Sequence, residues 1–197
     1  METTTIPIPS GIKGLIFDLD GTIIDSMPMH HASYNYALKE WGLEYDLHLF
    51  YSRAGVPLRK TLEIIAEENG LVNPDIDRAV DMINYYADNN FHQVSLIHPI
   101  HDILVSSFEK LPMAIGTGNN RNHVMQLLTQ FSLDRYVPHV VTANDVSNGK
   151  PHPETFLRCA ELMEVDPLDC VVFEDGVLGI QAAKAAGMQV VDVNNYL

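Results

Sequence analysis

Two short apolar runs in this chain end alike. Gly14-Leu15-Ile16-Phe17 runs into Asp18-Leu19-Asp20-Gly21, and Val171-Val172-Phe173 runs into Glu174-Asp175-Gly176. A short apolar run closed by a turn signal reads as a buried strand. Asp18 and Asp20 are two residues apart, so their side chains share a face if the extended geometry persists. Gly21 lets the backbone turn sharply away. The acids then stand at the carboxyl ends of strands, where open α/β sheets hold their ligands. Two carboxylates about 4 Å apart, at an effective dielectric near 20, repel by about 4 kcal/mol. A proton or a cation has to relieve that repulsion, and oxygen ligands around a small site suit magnesium.

The alternation continues along the chain. Met113–Gly116, His139–Thr142, Cys170–Phe173 and Gln189–Val193 read as strands. The stretches near Asn119–Phe131, Pro153–Met163 and Gly176–Ala186 read as helices, and Gly187 stands where a C-terminal stop belongs. Such alternation argues for a parallel sheet covered by helices. The first two strands, however, are nearly a hundred residues apart, far more than one crossover helix needs. The excess reads as helical throughout. Tyr34, Ala37, Leu38 and Trp41 recur at helical spacing, as do Leu62, Ile65 and Ala66, then Val80, Ile83 and Ala87. These stripes, Trp41 included, read as core packing. The expected architecture is α/β: a Rossmann-like parallel-sheet core of residues 1–26 and 92–197, with an inserted all-helical cap of residues 27–91. The hinges fall near Asp25–Pro28 and Val94–Pro99.

The balance of 12 basic and 26 acidic residues gives a net charge of −14. That disfavours nucleic acid and anionic membrane surfaces as partners. No apolar stretch is long enough to span a bilayer, and Met1–Ser10 lacks a basic-then-apolar signal pattern. Cys159 and Cys170 read as buried reduced thiols. His98-Pro99-Ile100-His101 has a proline between its histidines and no cysteine near, so it does not read as a zinc site. The expectation is a cytoplasmic protein, a monomer or weak dimer, whose partner is a small molecule.

Asp18-Leu19-Asp20-Gly21-Thr22 resembles the first motif of the haloacid dehalogenase superfamily of phosphatases and phosphomutases. Four further stretches resemble that family in order and context, one of them, Gly179–Met188, as a helix packed on the sheet that carries no chemistry. Ala114-Ile115-Gly116-Thr117-Gly118-Asn119 ends a strand and opens a helix, whose first N–H groups and dipole favour an anion. The resemblance makes it a phosphate cradle with Thr117, Gly118 and Asn119 as donors, though Thr or Asn there also serves as a plain N-cap. Lys150-Pro151-His152-Pro153 offers a fixed ammonium to a phosphate oxygen and to Asp18, against the ordinary reading of a surface lysine. At the second acidic strand end the resemblance implies Asp175 as a magnesium ligand with Asp18 and the backbone carbonyl of Asp20, Glu174 standing beside it. The resemblance covers both ends of the chain and most of the core, and is weak in the cap.

The implied activity is that of a magnesium-dependent phosphoric monoester hydrolase. Asp18 attacks phosphorus and forms an aspartyl-phosphate. Asp20 protonates the leaving oxygen and then takes a proton from the attacking water. Lys150 and Thr117 complete an electrostatic clamp. The cap loop Ser52-Arg53-Ala54-Gly55-Val56-Pro57-Leu58-Arg59 departs from the family's sugar-phosphate mutases, because Ala54 stands where they carry a lysine. Arg53 and Arg59 are the candidate cap contacts. His30 reads equally as a residue that orients Asp20 or the cap and as a hydrogen-bonded helix histidine. The implied substrate is a small phosphorylated sugar or related metabolite, of the fructose 1-phosphate type. The alternatives are a β-phosphoglucomutase-like isomerase and a non-enzymatic phospho-ligand-binding protein. The second would be expected to have lost Asp18, Asp20 or Lys150.

Overall fold

The computed structural model describes residues 6–53, 56–90 and 93–197. From the N-terminus, β1 (Gly14–Phe17) and the two-residue β2 (Ile24–Asp25) precede four helices, α1 (Met27–Leu38), α2 (Leu47–Ser52), α3 (Leu58–Glu68) and α4 (Ile76–Asn90). There follow β3 (Ser95–Leu96), α5 (His98–Ser107), β4 (Met113–Gly116), α6 (Arg121–Gln130), β5 (His139–Val141), α7 (Glu154–Met163), β6 (Cys170–Glu174), α8 (Val177–Ala185) and β7 (Gln189–Asp192). The chain divides into two compact units. One comprises the residues up to Asp25 together with Ser95–Leu197, and the other is Ser26–Val94. The expected cap boundary at Phe91, and Ala54 and Gly55 of the cap loop, lie outside the described residues.

The first unit is the α/β core expected. Its five-stranded sheet has the order β5-β4-β1-β6-β7, and every pair is parallel. All four residues of β1 are buried without alternation, as a strand packed on both faces must be. Phe17 lies opposite Phe173 in the register, and their rings stack 4.9 Å apart. Phe156, Cys159, Ala160 and Met163 of α7 and Ala182 and Ala183 of α8 join Ile16, Ala114 and Val172 in one core. Cys159 and Cys170 are free and buried there, as their sequence context suggests.

The second unit is helical among its described residues. Ala37, Leu38, Tyr45, Phe50, Leu62, Ile65, Ala79 and Ile83 form its core, with Tyr34 and Trp41 packed against it. Trp41 is therefore a packing residue. Val80 is only partly buried, and Ala79 takes the inward position in its place.

Several boundaries differ from the pattern read in the sequence. Thr142 is not a strand end. Its N–H and hydroxyl both donate to Asp145, at 2.8 and 2.6 Å, which makes it the N-cap of a short 3₁₀ turn. Helix α6 starts at Arg121 rather than near Asn119, because the Asn120 side chain caps it by accepting from the His123 N–H at 3.0 Å. Helix α5 was not foreseen. Pro99 looked like part of a hinge, but proline is well tolerated in a first helical turn, where its missing N–H has no partner to lose. The two stretches read as hinges carry β2 and β3, which pair antiparallel with Ile24 opposite Leu96 and Asp25 opposite Ser95. Strands of two residues are too short to show a period. Among the described residues no helix is long and apolar enough to cross a membrane.

Candidate active site

The site grows from two neighbouring strand ends. The Asp18 N–H donates to the Phe173 carbonyl at 3.0 Å, so the ladder between β1 and β6 runs one residue past β1. That register delivers Asp18, Glu174 and Asp175 to one place, each with a carboxylate oxygen within 4.8 Å of the others. Lys150 Nζ donates to Asp18 Oδ1 at 2.5 Å and to Glu174 Oε2 at 2.7 Å, and it lies 4.7 Å from the centre of the Phe156 ring. The three side chains are 12%, 8% and 4% exposed. At such burial an unpaired charge is very costly, so the pairing is obligatory. The other oxygen of Glu174 accepts the Gly176 N–H at 3.0 Å.

Close packing fixes these acids. A Cβ on Gly179 would fall 1.9 Å from Glu174 Oε2, so only glycine fits in that first turn of α8. Gly21 has φ +86, and a Cβ there would fall 2.3 Å from Asp175 Oδ2. Thr22 donates its hydroxyl to Asp175 Oδ1 at 2.9 Å, and Asn194 Nδ2 donates to the Asp175 carbonyl at 2.7 Å. Sequence reasoning missed Thr22, Gly179 and Asn194 as supports. Thr22 stood inside the first motif, and Asn194 follows β7 at the carboxyl edge of the sheet, where ligand-facing groups gather. Gly179 opens the stretch that resembles the family's packing helix, but its role against Glu174 is not readable there, because that neighbour in space comes from the preceding strand.

Burial and crowding shift the acidity of Asp18 and Asp175. Burial first, then the Glu174 charge, pushes the Asp18 carboxyl well above its ordinary range, with Lys150 pulling the other way. Burial and Glu174 likewise raise Asp175 to about 6, against the Thr22 hydrogen bond. Burial opposes the charge on Lys150, but Asp18 and Glu174 outweigh it and hold the ammonium above its usual value. The sign of the linkage follows. A carboxyl whose folded value is raised binds more protons folded than unfolded, so stability falls as pH rises through the window. For Asp175 the window runs from 3.8 to about 6, which is on the order of 3 kcal/mol at about 1.4 kcal/mol per unit. Metal-free protein should therefore melt at progressively lower temperature from pH 4 to 6, and Asp175→Asn should flatten the decline. Parallel melting curves for the two proteins in chelator would count against the assignment.

Thr117 is buried just past β4, and its N–H donates to the Val141 carbonyl at 3.0 Å. Its hydroxyl oxygen accepts the Asn119 N–H at 3.0 Å, which leaves the hydroxyl hydrogen for another acceptor. Gly118 is exposed, with open space where a side chain would stand. Two of the first amides of α6 already have side-chain acceptors: Arg121 N–H on Asn144 Oδ1 at 2.9 Å and His123 N–H on Asn120 Oδ1. The plain capping role thus falls to Asn120, and the Thr117–Asn119 turn precedes the helix end instead of forming it. Asn119 Nδ2 donates to Asp20 Oδ2 at 3.1 Å.

The remaining candidates lie in the second unit. Arg53 Nη2 donates to both oxygens of Glu68, at 2.6 and 2.8 Å, and its guanidinium sits 5.8 Å from the Tyr45 ring centre. Its Nη1 is buried without a hydrogen-bond partner. Arg59 pairs with Asp77, both exposed. His30 stands in α1, its N–H on the Ser26 carbonyl at 3.0 Å.

The parallel sheet carries a lysine-bridged acidic cluster at its carboxyl edge, and the sequence matches the haloacid dehalogenase-like hydrolase family over residues 15–193. The chain belongs to that family. It is 39% identical over 183 residues to the fructose-1-phosphate phosphatase of Escherichia coli, covering 91% of this chain and 95% of the relative. It is 24% identical over 189 residues to the beta-phosphoglucomutase of Bacillus subtilis, covering 92% and 83%. The crystal structure of a conserved haloacid dehalogenase-like protein of Agrobacterium tumefaciens superposes with a TM-score of 0.78 at 27% identity, covering 91% of this chain and 81% of that one.

Proposed function

We propose that this hydrolase is a phosphatase of a small phosphorylated sugar, fructose 1-phosphate or a close relative, that works through an aspartyl-phosphate on Asp18 with magnesium in the acidic cluster. The carrying observation is the split between two carboxylates two residues apart. Asp18 is buried and held by Lys150, while Asp20 is partly exposed and held by the neutral amide of Asn119. Two carboxyl groups in different surroundings suit two roles, here nucleophile and general acid. The substrate class comes from the similarity to the Escherichia coli enzyme.

Asp18, Glu174 and Asp175 fit a hard divalent ion. They are all oxygen donors, they lie close together, and Lys150 neutralises only one of three charges. When bound, such an ion would offset charge on the phosphoryl oxygens. The chain's own groups do the rest. An oxygen of Asp18 attacks phosphorus, and the P–O bond to the sugar breaks. Asp20 gives its proton to the departing sugar oxygen, then takes one from the water that attacks the acyl-phosphate. Lys150 and the Thr117 hydroxyl steady the transferring group. On this reading Arg53, Arg59 and His30 are the helical unit's candidate residues for selecting the leaving group. The exposed Arg59–Asp77 pair is worth little and yields readily.

A mutase reading has the Bacillus subtilis relative in its favour and Ala54, in place of a lysine, against it. The test is phosphate release from a panel of sugar and short-chain phosphates with magnesium, run beside conversion of glucose 1-phosphate to glucose 6-phosphate. Phosphate release fastest with fructose 1-phosphate or a similar ketose phosphate is the expected result. Isomerisation faster than any hydrolysis would overturn the reading.

A further inference from the structure

We propose that Asn119 is the positioning residue of the general acid Asp20 and not a ligand of the phosphoryl group. The inference rests on the reading of Asp20 given above. It begins with how completely Asn119 is engaged. Its backbone N–H donates to Thr117 Oγ1 at 3.0 Å, and its carbonyl accepts the Ala143 N–H at 3.0 Å. Its side-chain Oδ1 accepts the Asn120 N–H at 2.8 Å, and Nδ2 donates to Asp20 Oδ2 at 3.1 Å. The amide can be oriented only one way. A backbone N–H requires an acceptor, so Oδ1 must face Asn120 and the NH₂ must face Asp20.

The anchorage is rigid on both sides. Asn119 leaves β4, and Asp20 leaves the adjacent strand β1, 99 residues away in sequence. The Asp20 turn is closed by Gly21 N–H on the Ile24 carbonyl at 2.7 Å, and by Ile23 and Ile24 N–H on the Leu19 carbonyl at 3.0 and 2.9 Å. The backbone is thereby fixed, and Asn119 supplies a fixed donor for the side chain. A general acid has to come within about 3 Å of the oxygen it protonates. Holding Oδ2 presents Oδ1 to the departing oxygen. The hold also survives the reaction, because Oδ2 remains an acceptor, more strongly when Asp20 is ionised and less so when its proton rides on Oδ1. The phosphoryl group is then left to the Thr117 hydroxyl and the open backbone at Gly118.

The two roles separate by leaving group. An alkyl phosphate needs a proton on its departing oxygen, and p-nitrophenyl phosphate does not. For Asn119→Ala, kcat on fructose 1-phosphate, or on the fastest sugar phosphate of the panel, should fall about a hundredfold. Its KM, the rate on p-nitrophenyl phosphate and inhibition by inorganic phosphate should each stay within about threefold. If both substrates slow equally, or phosphate inhibition weakens, Asn119 is a phosphate ligand and the proposal fails. Should the alanine variant misfold, Asn119→Ser replaces it, since serine keeps an oxygen for the Asn120 amide but is too short to reach Asp20. Asp20→Asn is the control. If that variant slows both substrates equally, the acid/base reading of Asp20 itself is wrong. If it is selective for the alkyl phosphate and Asn119→Ala is not, only the positioning role is lost.

Discussion

Asp18→Asn should abolish phosphate release from every phosphomonoester and at the same time stabilise the metal-free protein. The activity term is the larger. An amide is a poor nucleophile toward phosphorus, and removal of a covalent nucleophile costs at least about four orders of magnitude in comparable hydrolases. The substitution keeps shape, and Asn Oδ1 still accepts from Lys150, whose Nζ stands 2.5 Å from Asp18. The stability term follows from charge. Asp18, Glu174 and Asp175 surround a single buried ammonium, and burial itself disfavours an ionised Asp18. Taking one carboxylate away leaves one surplus charge in place of two. The metal-free variant should melt above the wild type at pH 7, and the gap should close below pH 4, where the native carboxyls are protonated. Such opposed effects mark a site kept for chemistry at the expense of stability. Residual activity above about 1% of wild type would remove Asp18 from the nucleophile role, and a lowered melting point would mean its charge is structurally required.

Much of this site was legible because its acids announce themselves locally. A continuous apolar run followed by carboxylates and a glycine carries its own strand, strand end and turn, and Asp18 and Glu174-Asp175 both stand in such a setting. What local pattern does not carry is adjacency. That β1 lies between β4 and β6 depends on contacts across about a hundred residues or more, and the pairing with β6 brings Glu174 to Asp18. Lys150 could be read as a rigid-loop lysine with a phosphate-facing role, but its bond to Glu174 is visible only in the folded chain. Asn119 shows the same limit. Its position after a strand suggests anion binding, yet its amide is turned to Asp20 on the neighbouring strand end. In the helical unit the spacing of apolar residues located the core stripes. It did not show that Arg53 is already held by Glu68, a partner one helix away. The missed helix α5 has a different cause. A proline weighs as a break when read alone and as a helix start when the next turn is seen.

Lys150→Met should lower activity and stability together, and the two losses should respond differently to rescue. Methionine keeps the length of the stem and its contact with the Phe156 ring, so the change reports the ammonium. Rates should fall about 10²- to 10³-fold, the scale seen when one electrostatic stabiliser of a transition state is removed. Alkyl and aryl phosphates should suffer alike, because the lysine is bonded to the proposed nucleophile Asp18 and not assigned to the protonation of the leaving group. That pattern is opposite to the one expected of Asn119→Ala. For stability, breaking a buried ion pair by deleting one partner costs about 3–5 kcal/mol. The cost should be greatest at pH 8 and shrink toward pH 4, since without the ammonium the cluster can be neutralised only by protons. The double variant Asp18→Asn/Lys150→Met should regain part of the lost stability and none of the lost activity. Two residues in direct contact are expected to deviate from additivity in that way, whereas independent sites are not. A Lys150→Met protein that melts like the wild type across this pH range would show that some other cation balances the cluster, and the pairing of Lys150 with Asp18 and Glu174 would lose its place at the centre of the site.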